Sequence, residues 1–479
     1  MLRISNRTVI GVIWNFLEQL ARRGMGIIIT IILAKLLTPE DFGLISMMAI
    51  FLALGQSLMD SGFTQALIRK KNAKEEDYNT AFYSNIGLGV VSYALLYICA
   101  PAISAFYNEP NLEILIRVSS IAILINSFQV VQIADLSRKL DFKTQLKATF
   151  PAVLLSGVIA VLLAKEGFGV WALVIQMLMA ALFQTLFLWI LNKWLPGLSF
   201  SFTSLKEMYS FGYKLFLSGA LETVFKNIYV VIIAKVFSAH TAGLYFFAER
   251  MKELITGQII NSIQKVSYPA LSKQQDDLVK LKSDYRKVIR VTVFAYFPSV
   301  AILAALAKPL YTLMLPEKWH HAHFYFQLLC IAALLLPLHS INLNILRVLG
   351  RSDLLLGLQI FKKALLALTL WIGIRFGILG VLWAQIINSV ISYYPNKYYS
   401  EKLIDYTLME QWRDIKLPFS LSLFLGLLVF YIGSNNVIGD AAYVVFSSIS
   451  FVILYISLST LMDPKLLATV KYFFNKRKS

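Results

Sequence analysis

Ionisable residues set inside long apolar runs are the feature of this sequence with the most chemistry in it. Glu18, Arg22 and Arg23 fall near the middle of the run 9–37, and Asp60 lies in the run 44–66. Glu222 and Lys226 lie in 211–237, and Glu249, Arg250, Lys252, Glu253, Asn261 and Lys265 in 244–268. At the centre of a membrane-spanning helix an Asp, Lys or Arg costs about 2.5–3.5 kcal/mol on insertion scales. Such residues therefore face protein or a water-filled cavity rather than lipid. Glu18 and Arg22 are four apart and share a helix face, an arrangement that Glu222 and Lys226 repeat. Asp60 stands four residues after Gln56 and four before Thr64. Two chemistries fit this pattern. Arg22, Arg23, Lys226 and Arg250 can line a cationic cavity, with Glu18, Asp60, Glu222 and Glu249 either neutralising them or holding a coupling proton or sodium ion. Alternatively these are structural salt bridges, with Lys35, Lys235, Glu249 and Arg250 snorkelling to a membrane face. Arg117, near the outer end of the run 112–134, either anchors its helix or touches substrate. Asn126, Gln129 and Gln132 are spaced to hydrogen-bond between helices.

The elements that must position these groups follow from composition. Of 479 residues, 58% are hydrophobic and 15% charged, against about 45–50% and about 25% in soluble chains. With a mean hydropathy of +0.66, this is an all-α integral membrane protein. Apolar runs predict about fourteen spans, at 9–37, 44–66, 80–100, 112–134, 147–164, 169–191, 211–237, 244–268, 290–307, 326–346, 353–373, 377–396, 417–433 and 441–462. The first is too long and too charged for a cleaved signal peptide. If the N-terminus is cytoplasmic, 27 of the 45 Lys and Arg residues fall in inner segments, 4 in outer ones, and 14 within the spans. That bias puts both termini in the cytoplasm and accounts for the net charge of +18 without nucleic acid. Lys476-Arg477-Lys478 reads as an anchor on anionic lipid. No hydrophilic stretch is long enough for a soluble enzyme domain. The two cysteines, Cys99 and Cys330, exclude a disulfide framework. There is no P-loop and no His-Glu-x-x-His motif. His320, His321 and His323 beside Trp319 read as an interfacial loop rather than a metal site, and Gly373-x-x-x-Gly377 as a tight turn. No catalytic residue, metal or cofactor is expected beyond the coupling ion.

An internal repeat organises the spans. Residues 32–44 (Ile-Leu-Ala-Lys-Leu-Leu-Thr-Pro-Glu-Asp-Phe-Gly-Leu) return as 232–244 (Ile-Ile-Ala-Lys-Val-Phe-Ser-Ala-His-Thr-Ala-Gly-Leu), with five of thirteen positions identical. Copies six helices apart enter the membrane from the same side, which makes this a parallel repeat about an axis along the membrane normal. The expectation is two pseudo-symmetric six-helix lobes, 1–210 and 211–400, around a central cavity. Residues 401–479 add two helices and a basic tail.

Four segments carry a family resemblance over nearly the whole chain: Leu37-Thr38-Pro39-Glu40-Asp41-Phe42-Gly43, Asp60-Ser61-Gly62-Phe63 leading to Arg69-Lys70, Leu140-Asp141-Phe142, and Ser267-Tyr268-Pro269-Ala270-Leu271. With them the chain resembles the Wzx-type polysaccharide transporters, the lipid-linked oligosaccharide flippases, and within these the colanic-acid-exporter-like branch. The wider superfamily includes multidrug cation antiporters and the lipid II flippase. The resemblance implies alternating-access flipping of an undecaprenyl-diphosphate-linked glycan across a bacterial inner membrane, for lipopolysaccharide or exopolysaccharide synthesis. It implies membrane lipids, a polysaccharide polymerase and glycosyltransferases as partners. Arg22, Arg23 and Lys226 suit a diphosphate, since arginine grips phosphate oxygens bidentately. A drug-cation antiporter, the alternative, would prefer an acidic, aromatic-lined cavity.

Overall fold

The computed structural model describes residues 6–434 and 439–464; within these, side chains are described in the first helix at Trp14, Glu18, Gln19 and from Gly24 on, and not at Ser262, Lys265, Val266 or Ser352. All regular structure among the described residues is helical, with no β-sheet. Among the described residues, eleven helical segments are long and apolar enough to cross a membrane, or twelve if a pair bent by 41° counts as one broken span. The two further expected spans coincide with α1 (Asn6–Leu36), apolar over Gly24–Leu36, and with the charge-bearing α11 (Ala239–Ser272). Apolarity alone thus supports a multi-span membrane fold of eleven to twelve helices, short of fourteen. The chain forms two compact units, residues 1–246 and 247–479.

In the first unit α1 is followed by α2 (Pro39–Asp60), α3 (Phe63–Arg69) and α4 (Glu75–Tyr107). The bent span is α5 (Asn111–Ser119), α6 (Ile121–Ser127) and α7 (Val130–Arg138). Next come α8 (Phe142–Lys165), α9 (Val170–Leu191) and α10 (Phe202–Val236). The motif residues are its punctuation. Thr38 caps α2: its Oγ1 accepts from Asp41 N at 3.3 Å, and Asp41 Oδ2 accepts from Thr38 N at 2.9 Å. This capping box satisfies two otherwise orphaned amides, and Pro39 pre-sets the first turn. Ser61 and Gly62 adopt left-handed backbone (φ 39° and 73°) and break α2 from α3. At this break α10 passes so close that a Cβ at Gly212 would overlap the Ser61 carbonyl. Leu140 is also left-handed, at φ 56°, and Asp141 then caps α8 by accepting from Thr144 N at 3.1 Å. Phe63, Leu67, Phe82, Val131 and Met208 form one core cluster of the unit.

The unit boundary lies inside α11, and α10 packs on α2, α3 and α4. The second unit contains α12 (Leu278–Ala305), α13 (Ala307–Met314), α14 (Ala322–Ala333), α15 (Leu336–Val348), α16 (Ser352–Ile374), α17 (Gly377–Ile404), α18 (Leu408–Ser434) and α19 (Asp440–Met462). Within it α18 packs along α12, and Leu306, Leu425, Tyr443, Phe451 and Tyr455 share one core.

Candidate functional site

The two copies of the repeat meet within the first unit. A Cβ on Gly43 would lie 2.6 Å from the Ala239 carbonyl carbon, and one on Gly243 would lie 2.6 Å from the Pro39 carbonyl carbon. Both glycines are buried. Glu40 Oε1 and His240 Nδ1 pair at 2.6 Å beside them. The contacts cross the repeat reciprocally: 43 meets 239 and 243 meets 39, while 40 meets its own equivalent, 240. Residue i against j, with j′ against i′, is the signature of a two-fold contact. Local chemistry is repeated as well. Ser238 caps α11 as Thr38 caps α2, its Oγ accepting from Thr241 N at 3.2 Å. Only glycine allows two helix N-termini to approach this closely. Glu40 and His240 had no assigned role in the sequence reading, although their equivalence was there in the 200-residue offset.

The intramembrane ions are disposed as follows. The side chains of Arg22 and Arg23 lie outside the described residues. Glu18 is buried in α1, at 9% exposure. Glu222 and Lys226 lie one turn apart on an exposed face of α10. Asp60, at the end of α2, accepts from Thr64 Oγ1 at 2.6 Å and from Thr64 N at 3.3 Å. It therefore caps α3 across the Ser61–Gly62 break. Gln56, one turn earlier, accepts from Asn126 Nδ2 at 3.0 Å, and Gln129 Nε2 donates to Asn126 Oδ1 at 2.6 Å. These amides tie α6 to α2, as interhelical packing requires.

Glu249 is held by Lys252, whose Nζ reaches both carboxylate oxygens at 2.6 and 2.8 Å. Arg250, next to it, is exposed. Arg117 is anchored: its Nη1 pairs with Glu113 at 2.8 Å, one turn back, and its guanidinium stacks 4.4 Å above the Tyr97 ring. Lys235 lies 5.2 Å from the Phe106 ring. Lys70, between α3 and α4, reaches Glu207 at 2.7 Å and Asp77 at 2.9 Å, so α10 is tied to the loop before α4. The hydrogen bond from Glu207, more than any other influence, raises the Lys70 pKa above the usual lysine range. Arg138, counted above only as an inner charge, donates to the carbonyls of Leu67 and, at 2.6 Å, Lys70, closing the C-terminus of α3.

Two polar clusters of the second unit were missed. Asp414, with a side chain 0% exposed, accepts from Arg286 Nε at 2.7 Å, Arg290 Nε at 2.7 Å and Tyr406 Oη at 2.9 Å. The signal was present as matched spacing: Arg286 and Arg290 four apart, Glu410 and Asp414 four apart. The second cluster joins α15 to α17, where His339 Nδ1 meets Asn396 Nδ2 at 2.7 Å and Ser400 Oγ donates to Asn342 Oδ1 at 3.2 Å. Among the described residues no group of three or more His, Cys, Asp or Glu gathers as metal ligands.

Comparison with known proteins gives a consistent picture. Residues 32–323 match the family described as Polysaccharide biosynthesis protein. The chain is 25% identical over 398 residues to the lipopolysaccharide biosynthesis protein WzxC of Escherichia coli K12, covering 82% of this chain and 81% of that one. It is 25% identical over 431 residues to the teichuronic acid biosynthesis protein TuaB of Bacillus subtilis 168, covering 89% of each. The fold resembles the lipid II flippase MurJ in an inward closed conformation, with a TM-score of 0.74 and 13% identity over 96% of this chain and 100% of that one. It also resembles an inward-facing multidrug MATE transporter of the MOP superfamily, with a TM-score of 0.61 and 16% identity over 81% and 95%.

Proposed function

The chain belongs to the polysaccharide biosynthesis protein family, and from that premise we propose that it flips an undecaprenyl-diphosphate-linked oligosaccharide from the cytoplasmic to the periplasmic leaflet by alternating access. It is a membrane transport protein and not an enzyme. It shares its fold with the superfamily of polysaccharide and multidrug exporters. The reading places it in a bacterial inner membrane with both termini cytoplasmic and fourteen spans. The spans form lobes over 1–210 and 211–400 around a central cavity, with 401–479 appended. The colanic-acid-exporter-like branch, and a polymerase and glycosyltransferases as neighbours, belong to the same proposal.

One observation carries it: the reciprocal engagement of the repeats at Gly43, Gly243, Glu40 and His240. A carrier that works by alternating access needs a symmetric contact that closes one face and parts when the other closes. Sugars and a diphosphate cannot cross hydrocarbon unaided, whereas a polyprenyl tail can remain in lipid. Arg22, Arg23, Lys226 and Arg250 supply the countercharge, and Arg117 is assigned chiefly to anchoring. Glu249 is engaged by Lys252, which supports charge pairing for it over ion coupling, and Asp60, engaged by Thr64, is assigned to capping α3. The cationic excess argues against a drug-cation antiporter.

The test is a bacterial strain that lacks its own exporter for one lipid-linked glycan. Expression of this chain should restore surface glycan and clear the accumulated lipid-linked intermediate. If the intermediate persists with every matched glycan while the protein is inserted, the proposal fails.

A further inference from the structure

On the N-terminal third of α12, one face presents Val279, Lys282, Ser283, Arg286, Lys287 and Arg290 around a cavity of about 410 Å3. No carboxylate lines it. Every acidic partner of these cations lies behind or beside the opening. Asp414 is fully enclosed beneath Arg286 and Arg290. Glu410 pairs with Lys282 at 2.9 Å and Arg286 at 3.3 Å; Asp405 approaches Lys282 at 3.6 Å; Asp284 pairs with Lys287 at 2.9 Å on the same helix. The buried carboxylate holds both guanidinium planes rigid from one edge. Arg290 spends Nε and Nη2 on Asp414, so its Nη1 donors are unspent among the described residues. The Lys287 ammonium is half exposed and Ser283 is exposed.

The cavity's position along the helix matters as much as its charge. Arg290 is the last charge of α12; Val291 to Ala305 contain none. The cationic face therefore sits where the helix enters hydrocarbon, with apolar Val279 at its edge. Basic pockets on transmembrane helices at this depth take the phosphates of anionic lipids. Arginine and lysine together provide both a directional fork and a mobile point charge for phosphate oxygens.

We propose that Lys282, Ser283, Arg286, Lys287 and Arg290 form a binding site for the phosphate of a membrane lipid, separate from the transport cavity. Its assignment to the cytoplasmic leaflet rests on the topology proposed above; its chemistry does not. An occupied site would fasten α12, and through Asp414 the start of α18, to the bilayer surface.

The full-length protein, purified in detergent, is titrated with dioleoylphosphatidylglycerol, undecaprenyl phosphate, dioleoylphosphatidylcholine and inorganic phosphate, with binding read by native mass spectrometry. No transport is measured, so failure here leaves the flippase proposal intact, and failure of that proposal leaves this one intact. One or both of the anionic phosphate lipids should bind, and which does so identifies the source as bulk phospholipid or polyprenyl carrier. Phosphatidylcholine and free phosphate should bind far more weakly. Lys287→Glu and Ser283→Glu touch neither Asp414 nor α18. Lys287→Glu should weaken the lipid about 30-fold, two unit charges at about fivefold each, while Lys287→Arg retains it. Equal binding of phosphatidylcholine, equal binding of inorganic phosphate, or wild-type binding by both glutamate variants with unchanged melting temperature would overturn the site.

Discussion

Replacing Gly43 by alanine tests the repeat contact at its tightest point. The new methyl would overlap the Ala239 carbonyl oxygen and stand 2.6 Å from its carbonyl carbon, whereas ordinary contact begins at 3.4 Å, so the helix starts must part by more than the roughly 0.8 Å that the carbon alone requires. Backbone is on both sides, and no side chain can swing away. Overpacking of this kind costs about 1–3 kcal/mol. If one conformation makes the contact and the other does not, that cost shifts their ratio by about 5–150-fold. Gly243→Ala should act the same way, because it meets Pro39 as Gly43 meets Ala239. The assay uses a Cys99→Ser, Cys330→Ser background carrying Glu40→Cys and His240→Cys, bridged by a short bis-thiol reagent. Cross-linking should be efficient with Gly43 present and fall by about thirtyfold, the middle of that range, with Gly43→Ala. Glycan export should fall with it. Undiminished cross-linking and undiminished export in the Gly43→Ala, Gly243→Ala double variant would refute the reasoning.

Arg22→Ala together with Arg23→Ala should abolish glycan display while the protein remains inserted, and Arg22→Lys should rescue only in part because an ammonium lacks the planar fork; display is scored against membrane abundance. Asp60→Asn keeps an acceptor for Thr64, so activity should drop modestly with no change in its dependence on proton or sodium gradients, checked in proteoliposomes at clamped voltage. Asp414→Asn leaves two arginines without their buried counterion and should destabilise the second unit by about 3 kcal/mol, seen as a lowered melting temperature. Lys70→Gln should loosen α10 from α4 by about 1 kcal/mol, since this ammonium is partly exposed. The raised Lys70 pKa means its contribution is whole at neutral pH and fades only as pH climbs past the ordinary lysine range; thermal scans from pH 7 to 11 on both proteins should therefore converge at the alkaline end.

The span pattern was legible because twenty apolar residues in a row leave little room for another reading. Every predicted run overlaps one helix or a short series of them, as 112–134 does α5, α6 and α7. What apolarity misjudged were breaks and ends. The run 44–66 is α2 and α3, divided at Ser61–Gly62, because α10 needs the room that a left-handed turn gives Gly212. Helices such as α4 and α12 extend well beyond their apolar cores, since caps and ion pairs lengthen them into water. Side-chain partnership was less legible. Glu18 and Arg22 were paired by spacing, but Glu249 found Lys252 three residues on, and Asp60 found a hydroxyl and an amide. Spacing places residues on a face; it does not say which of several neighbours on that face is nearest.

That distinction explains why the motifs speak for the fold and are silent on the glycan. Thr38 to Asp41 is a capping box, Asp60 to Phe63 a helix break, Leu140 to Phe142 a left-handed turn and cap. Each is required by the path of the backbone whatever the cargo. The same economy bears on driving force. A membrane potential is worth about 2.3 kcal/mol per charge per 100 mV, so an inside-negative potential favours outward movement of a doubly charged diphosphate by about 4–5 kcal/mol at 100 mV if both charges cross uncompensated. Arginines that travel with the diphosphate would cancel that gain, whereas arginines fixed in the frame would preserve it. Among the intramembrane carboxylates, Asp60 serves Thr64 on the adjoining helix and Glu249 serves Lys252 on its own, whereas Glu18 and Glu222 are the carboxylates of the repeat-paired helices. They lie on α1 and α10, which end at Leu36 and Val236, just before the repeat contact. An ion that neutralised either would therefore act on the helices that lead directly into α2 and α11, whose first turns Gly43, Gly243, Glu40 and His240 hold together.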